Sequence, residues 1–484
     1  MSAIYNFISI DLGASNGRVV IGRLADKKLE LEVVHRFFHR VKLLSDRLYW
    51  DWDGICENIR DGLARAVEIL RDEQPVSISC DAWAQDFGIL GNDGKVLYPP
   101  LSYRDSSFRT FHPNFFKRID RRSLIARTGG VVLPITTLAQ LFRMSQDEPE
   151  KFRHSAGILN IADMVHHSLC GKAATDITLA TASQLSNITT NQWDTELLEA
   201  VGIPSNILPP IADAPTILGK IKADNAPHPK LAGVPVVISA GHDTAAASFA
   251  AGPLDEHSLF LSEGTYAMLG CISEKSAISA KTADSGCACS ELARRQWGLF
   301  ASITGLWLFQ ECCKQWEQNG WPVSYDTLAK DAMISRYRGR IPLSSAGVDF
   351  SGDACGRLVD ACANAGLKPP ADKSEFARLI FESMAEEHAA AAQTLAKLTG
   401  HDFRNIRMVS GGSRNTCLCQ LLANALELPL AAGPAEASTI GNIMLQARAM
   451  GVVTSDNDAF DIIKNSFPSI IYNVERPFNH ELPR

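Results

Sequence analysis

Asp11-Leu12-Gly13-Ala14-Ser15-Asn16-Gly17-Arg18 lies between two apolar runs, residues 8–10 and 19–21, and reads as strand, tight loop, strand. Small residues and glycine let backbone N–H groups converge on an anion, and the acid closing the first strand is placed to hold a metal-bound water beside it. The same composition also makes a plain hairpin turn, so the loop decides nothing until other segments join it.

A chain of 484 residues exceeds what one core usually serves, which predicts two domains. The hydrophobic fraction of 46% and charged fraction of 21% are those of an ordinary soluble globular protein. Net charge is −7 and there is no basic stripe, which argues against nucleic acid or an anionic membrane as partner. No leader pattern opens the chain and no apolar run is long enough to cross a bilayer, so a reduced cytoplasm is the expected setting. The twelve cysteines are scattered; Cys287/Cys289, Cys312/Cys313 and Cys417/Cys419 lack a partner motif at zinc spacing and read as small buried hydrophobes. His166-His167 reads as structural for the same reason.

Along the first half, residues 7–10, 19–23 and 29–38 read as strands, 53–71 as an amphipathic helix, and 76–80 as a buried strand. Asn92-Asp93-Gly94 marks a hairpin between 87–90 and 95–97. Residues 105–230 show no simple period. A strand at 236–240 ends in Gly241-His242-Asp243-Thr244 and opens a helix.

After Gly252-Pro253 the programme restarts: strand 259–261, loop Ser262-Glu263-Gly264-Thr265, strand 266–272. Strand 297–303, a helix from Leu306, a long helix over 374–398, strand 407–409, the turn Ser410-Gly411-Gly412-Ser413-Arg414-Asn415, a helix over 416–426, strand 428–432 and a helix over 436–450 follow. Two similar α/β domains, with ligands between them, are the expectation, divided as 1–246 and 247–484.

Phosphoryl transfer needs clamps on the nucleotide phosphates, a metal, and an acceptor for the hydroxyl proton. The loops at 11–18 and 262–265 suit the clamps, and Gly411-Gly412 lets a ring or ribose approach the backbone. Asn415 beside it offers amide hydrogen bonds. Asp243 suits a proton acceptor, although a helix N-cap is the competing reading. There is no G-x-x-x-x-G-K-[ST] loop, no protein-kinase set, and no G-x-G-x-x-G opening a helix.

The ordered set DLGASNGR, CDAWAQDF, YRDSS, GHDTAAA, SEGTYAMLG, GLWLFQ, GGSRNT and GPAEASTIGN resembles the FGGY family of carbohydrate kinases, with the L-rhamnulose kinases as the nearest branch. The resemblance covers residues 5 to about 450. It implies an α/β fold of two ribonuclease-H-like (actin-like ATPase) domains that close over ATP and a sugar, with the active site in the cleft between them. The implied reaction moves the γ-phosphoryl of MgATP to a ketose hydroxyl, at C1 of L-rhamnulose in the nearest branch; L-fuculose or a xylulose is the alternative acceptor.

Carried over by motif, Ala14, Ser15, Asn16, Gly17, Arg18, Thr265, Gln310, Gly411 and Asn415 are implied at ATP. Trp83, Ala84, His242, Asp243 and Thr244 are implied at the sugar, with Asp243 the proton acceptor and Asp11 a water-mediated Mg²⁺ partner. ATP, Mg²⁺ and a small sugar are the implied ligands, and the protein is expected as monomer or homodimer.

The departures concern the sugar side. Ala84 replaces a glycine that approaches the sugar, Gln85 replaces an apolar residue, and Ser302 stands where an asparagine is usual. Glu263 replaces serine in the second loop and brings an acid close to the ATP motif. An ATP-driven switch of the actin or chaperone type, and a silent binding protein on the same fold, are the readings from other classes.

Overall fold

The computed structural model describes residues 3–343 and 352–475. The described residues form two compact units, drawn from 1–253 with 274–298 and 438–466, and from 254–273 with 299–437 and 467–484. The sequence reading drew a single boundary at 246/247. The structure instead keeps the helix Asp243–Ala250 whole and returns residues 438–466 to the first unit. Residues 438–466 join the first unit by packing between segments far apart in sequence, which leaves no local composition signal.

The first unit is built on a six-stranded sheet in the order Thr216–Lys220, Pro235–Ile238, Ser77–Ala82, Tyr5–Leu12, Asn16–Ala25, Lys28–Phe38. Tyr5–Leu12 pairs antiparallel with Asn16–Ala25 and parallel with Ser77–Ala82. Ile8, Ile10 and Leu12 are completely buried, as continuous apolar strands under covering helices should be. The helix Trp52–Leu70 is capped by Asp51, which accepts the Gly54 N–H at 3.2 Å, and it buries Ile55, Ile59, Leu63, Ala66, Val67 and Leu70.

The predicted hairpin is present as Phe87–Leu90 with Val96–Tyr98, and Gly94 takes φ +73 in its turn. Sequence reading passed over a second hairpin, Val41–Leu44 with Arg47–Trp50. The stretch without a period contains short helices, among them Arg121–Thr128, Thr137–Asp147, Ile161–Cys170 and Thr195–Val201. Two or three turns are too few for a 3.6-residue pattern to stand out. Caps from Asp120 and Asp194, and an apolar cluster around Phe115, Leu138 and Phe142, hold them.

The second unit repeats the central topology. Ser258–Glu263 pairs antiparallel with Ala267–Ser273 and parallel with Asn405–Val409, which pairs parallel with Leu430–Ala432. Trp297–Ile303 flanks the hairpin, and Ile470–Tyr472 adds an antiparallel edge. In both units a hairpin is followed in space by a third strand on one side and two parallel strands on the other, so the restart seen in sequence is a restart of topology. The long helix Lys373–Thr399, capped by Asp372, packs on this sheet. No described helix is long and apolar enough to cross a membrane.

Candidate active site

In the first unit three carboxylates stand at the ends of three neighbouring strands. Asp11 and Asp81 are register partners on parallel strands. The Ala82 N–H donates to the Gly241 carbonyl at 2.8 Å and the Trp83 N–H to the Leu12 carbonyl at 3.0 Å, which ties the 241–243 turn and both strand ends together.

Arg18 faces Asp11 across the hairpin and donates to its Oδ2 at 2.8 Å. The hydroxyls of Ser438 and Thr439 donate to the same oxygen at 2.7 and 2.6 Å. Burial alone would raise the Asp11 pKa; the Arg18 charge and the two hydroxyls outweigh it and keep the group ionised below the usual range. Arg18, implied at ATP, is therefore engaged with Asp11. Gly17 is explained by packing, since a methyl there would meet Phe37 at 2.5 Å and Leu12 at 2.9 Å.

Ala14 and Ser15 are reached by Arg104, which donates to the Ala14 carbonyl at 2.7 Å and to Ser15 Oγ at 3.3 Å. Asn16 closes the loop by accepting the Gly13 N–H at 2.9 Å. Arg104 also lies over Trp50, 5.3 Å from the ring centroid.

Asp243 occupies the first turn of Asp243–Ala250, with His242 at the N-cap position, so the competing N-cap reading does not apply. The Thr244 hydroxyl donates to its Oδ1 at 3.1 Å, and His242 Nε2 lies 3.7 Å away. The Asp243 side chain is one-third exposed. Burial of the site raises its pKa, against the pull of His242, and burial lowers that of His242 against the pull of Asp243.

Sequence reasoning missed Asp81. It is completely buried, accepts from Asn442 Nδ2 at 2.7 Å, and its Oδ1 has no hydrogen-bond partner among the described residues. Burial, then the charges of Asp11 and Asp243, push it well above the carboxylate range. The signal was available: an acid sits at the end of each of two adjacent predicted strands.

Trp83 is buried against Trp50, ring centroids 4.7 Å apart, and its indole N–H donates to Asp86 at 3.0 Å. Asp86 Oδ2 also accepts from Trp50 Nε1 at 2.7 Å, and Oδ1 from Gln140 Nε2 at 2.9 Å. Ala84 is half-buried at the rim of this cluster. Gln85 is half-buried: its Oε1 accepts the Thr137 N–H at 3.2 Å and its carbonyl accepts the Thr137 hydroxyl at 2.7 Å, anchoring a neighbouring helix. His166 accepts the Cys80 N–H at 2.9 Å, a structural role as expected.

In the second unit Thr265 Oγ1 donates to Gln310 Oε1 at 3.3 Å, joining two residues that sequence placed on one ligand. Gly305 permits this turn, because a methyl there would stand 2.6 Å from the Thr265 carbonyl. A methyl at Gly411 would meet no other described residue beyond its chain neighbours within 4 Å, at the end of the strand parallel to the one leading into Thr265. Asn415, implied at ATP, also caps a helix: its Oδ1 accepts the Leu418 N–H at 3.0 Å as the N-cap of Thr416–Leu426. Ser302 lines a recess of about 420 Å³ with Tyr266, Thr304 and Trp307.

This duplicated sheet topology defines the class of actin-like two-domain ATPases. The structure resembles xylulose kinase from Lactobacillus acidophilus (TM-score 0.80, 19% identity, covering 97% of this chain and 94% of that one). It also resembles Plasmodium falciparum glycerol kinase with ADP (TM-score 0.81, 17% identity, 98% and 94% covered). Residues 6–250 match the N-terminal domain, and residues 259–450 the C-terminal domain, of the FGGY family of carbohydrate kinases. The chain belongs to that family and is a sugar kinase. Among curated relatives, the rhamnulokinase of Bacteroides thetaiotaomicron is 30% identical over 470 residues, covering 97% of this chain and 96% of the relative. That of Yersinia pestis is 31% identical over 466 residues, covering 95% and 93%.

Proposed function

We propose that the protein transfers the γ-phosphoryl of ATP to a ketose, with the C1 hydroxyl of L-rhamnulose as acceptor. The observation that carries the chemistry is Asp243: a partly exposed carboxylate in the first turn of a helix, with its proton affinity raised by burial and His242 Nε2 3.7 Å away. Such a group accepts the hydroxyl proton as the oxygen attacks phosphorus. The acceptor is suggested by rhamnulokinases that match nearly the whole chain at about 30% identity.

In this reading the sugar lies against Ala84, His242 and Thr244, with Trp83 as the buried wall behind them. The 14–18 loop, Thr265, Gln310 and Gly411 serve ATP. Asp11 already receives Arg18 and two hydroxyls, which suits holding a Mg²⁺ ion through water rather than by direct ligation. The ion, when bound with ATP, would offset charge on the phosphates. Among the described residues no disulfide joins the cysteines, which fits a reducing cytoplasm.

A panel of ketoses, aldoses and polyols with MgATP, read by ADP release and by the position phosphorylated, tests the assignment. Phosphorylation of L-rhamnulose at C1 is expected, and Asp243→Asn should lower kcat by about 10² or more. Turnover of L-fuculose or a xylulose with L-rhamnulose inert would overturn the substrate and point to Ala84 and Ser302. Near-normal turnover in Asp243→Asn would overturn the proton acceptor.

A further inference from the structure

Glu263 ends the strand Ser258–Glu263, immediately before the Gly264-Thr265 turn. The sequence left open whether this acid faces the nucleotide. It does not: the side chain is completely buried, and Oε2 lies 3.0 Å from His388 Nε2. His388 comes from the middle of Lys373–Thr399 and is also completely buried. Its Nδ1 is 2.6 Å from the Met384 carbonyl. A carbonyl only accepts, so Nδ1 carries a hydrogen, and Nε2 shares one proton with the glutamate.

The carboxylate also touches a third segment. A methyl built on Gly412 would overlap Glu263 Cγ and stand 2.9 Å from the Glu263 carbonyl, so the Gly411-Gly412 turn rests directly on this side chain. Ser262 Oγ and Ser410 Oγ, 3.1 Å apart, join the same two strand ends. The turn bearing Thr265, the turn bearing Gly411 and the long helix therefore meet at a single carboxyl–imidazole contact. The titratable neighbours are Glu387 beside His388 and Cys419 on Thr416–Leu426.

An ionised glutamate alone in this place would set a negative charge beneath the turns assigned to a polyphosphate. With the proton shared, glutamate and histidine together carry no net charge. We propose that Glu263 and His388 are positioning residues for the nucleotide: their shared-proton pair fixes the Thr265 and Gly411 turns relative to each other and cancels the acid beneath them. The inference rests on the assignment of ATP to these turns.

The test uses the full chain, with ADP binding by calorimetry and separate KM values for ATP and sugar. His388→Phe leaves the acid buried without its partner. It should raise the ADP Kd and ATP KM about tenfold (about 1.4 kcal/mol), with sugar KM within about threefold. Glu263→Gln keeps an N–H to donate to Nε2 and should stay within about threefold of the parent. The double variant removes the orphaned charge and should recover most of the lost ADP affinity. If His388→Phe does not fold, His388→Gln takes its place: it keeps a donor toward Glu263 but no shared proton, so the ADP Kd should rise by less than about tenfold, with sugar KM still within about threefold and the rise reversed in the double variant. Equal shifts in ATP and sugar KM, unchanged ADP affinity, or no recovery in the double variant would overturn the proposal. A parent protein that turns over sugar yet shows no ADP effect of Gly411→Val or Thr265→Ala would instead overturn the placing of ATP on which it rests.

Discussion

Replacing Gly441 by alanine should disable the enzyme from a position with no assigned part in the chemistry. Gly441 lies on the helix Ala437–Ala449, where a methyl would stand 1.8 Å from the Ala246 carbonyl oxygen and 2.6 Å from its carbon. Real methyl carbons essentially never come inside 3.0 Å of such an atom, so one helix must retreat by about 1.2 Å. Both choices are harmful. Ala246 is one turn along the helix headed by Asp243, and Ser438 and Thr439 just before Gly441 hold Asp11. Overpacking of this kind costs about 1–3 kcal/mol of stability. A displacement near 1 Å at a reacting group costs about 10² in rate. The coupled ADP-release assay should therefore show kcat down about 10²-fold, and urea unfolding a loss within that range. Circular dichroism at the assay temperature establishes that the protein assayed is folded. A kcat within twofold of the parent would refute the reasoning, because it would mean that the helices can part without moving either carboxylate.

Asp86→Asn turns an amide N–H toward either the two indole donors or Gln140, and should cost about 1–3 kcal/mol for each donor stranded. Tryptophan fluorescence during unfolding reads it directly, and unchanged stability would show that the indoles do not depend on Asp86. Burial raises the Asp86 pKa to about 6, so the folded protein binds the proton more tightly than the unfolded chain. Its contribution is then fully present below the unfolded value and falls as pH rises through about 6, and the slope of stability over that window should flatten in Asp86→Ala. Asp81, raised by burial and by two neighbouring acids, follows the same sign, with its loss starting near the unfolded value of about 3.9. Asp81→Asn keeps the bond from Asn442 and should be at least as stable as the parent at pH 7; a lower melting temperature would contradict a carboxylate that burial and two neighbouring acids disfavour.

Much of the first site was legible because its parts are local. The 11–18 loop needed only two apolar runs and small residues between them, and Gly241-His242-Asp243-Thr244 needed a buried strand feeding a helix. The Thr265–Gln310 bond could be anticipated because both residues belong to motifs of one order along the chain. Asn415 and Gly17 also carry local roles that sequence did not announce, a helix cap and a close packing contact, because capping and close packing call for the same residue types as ligand binding.

The sequence by itself determined the repeated strand–turn–strand opening of each half, the long helices, the absence of known nucleotide loops of other families, and the carboxylates that end buried strands. These follow from hydrophobic periodicity and turn chemistry, which act over a few residues. Tertiary structure alone decided what each carboxylate meets: Ser438, Thr439 and Asn442 reach Asp11 and Asp81 from more than 350 positions away in the chain. It also turned Glu263 inward to His388. The charge and proton affinity of a buried acid depend on the donors and charges folded around it, and those come from distant segments that no local pattern announces.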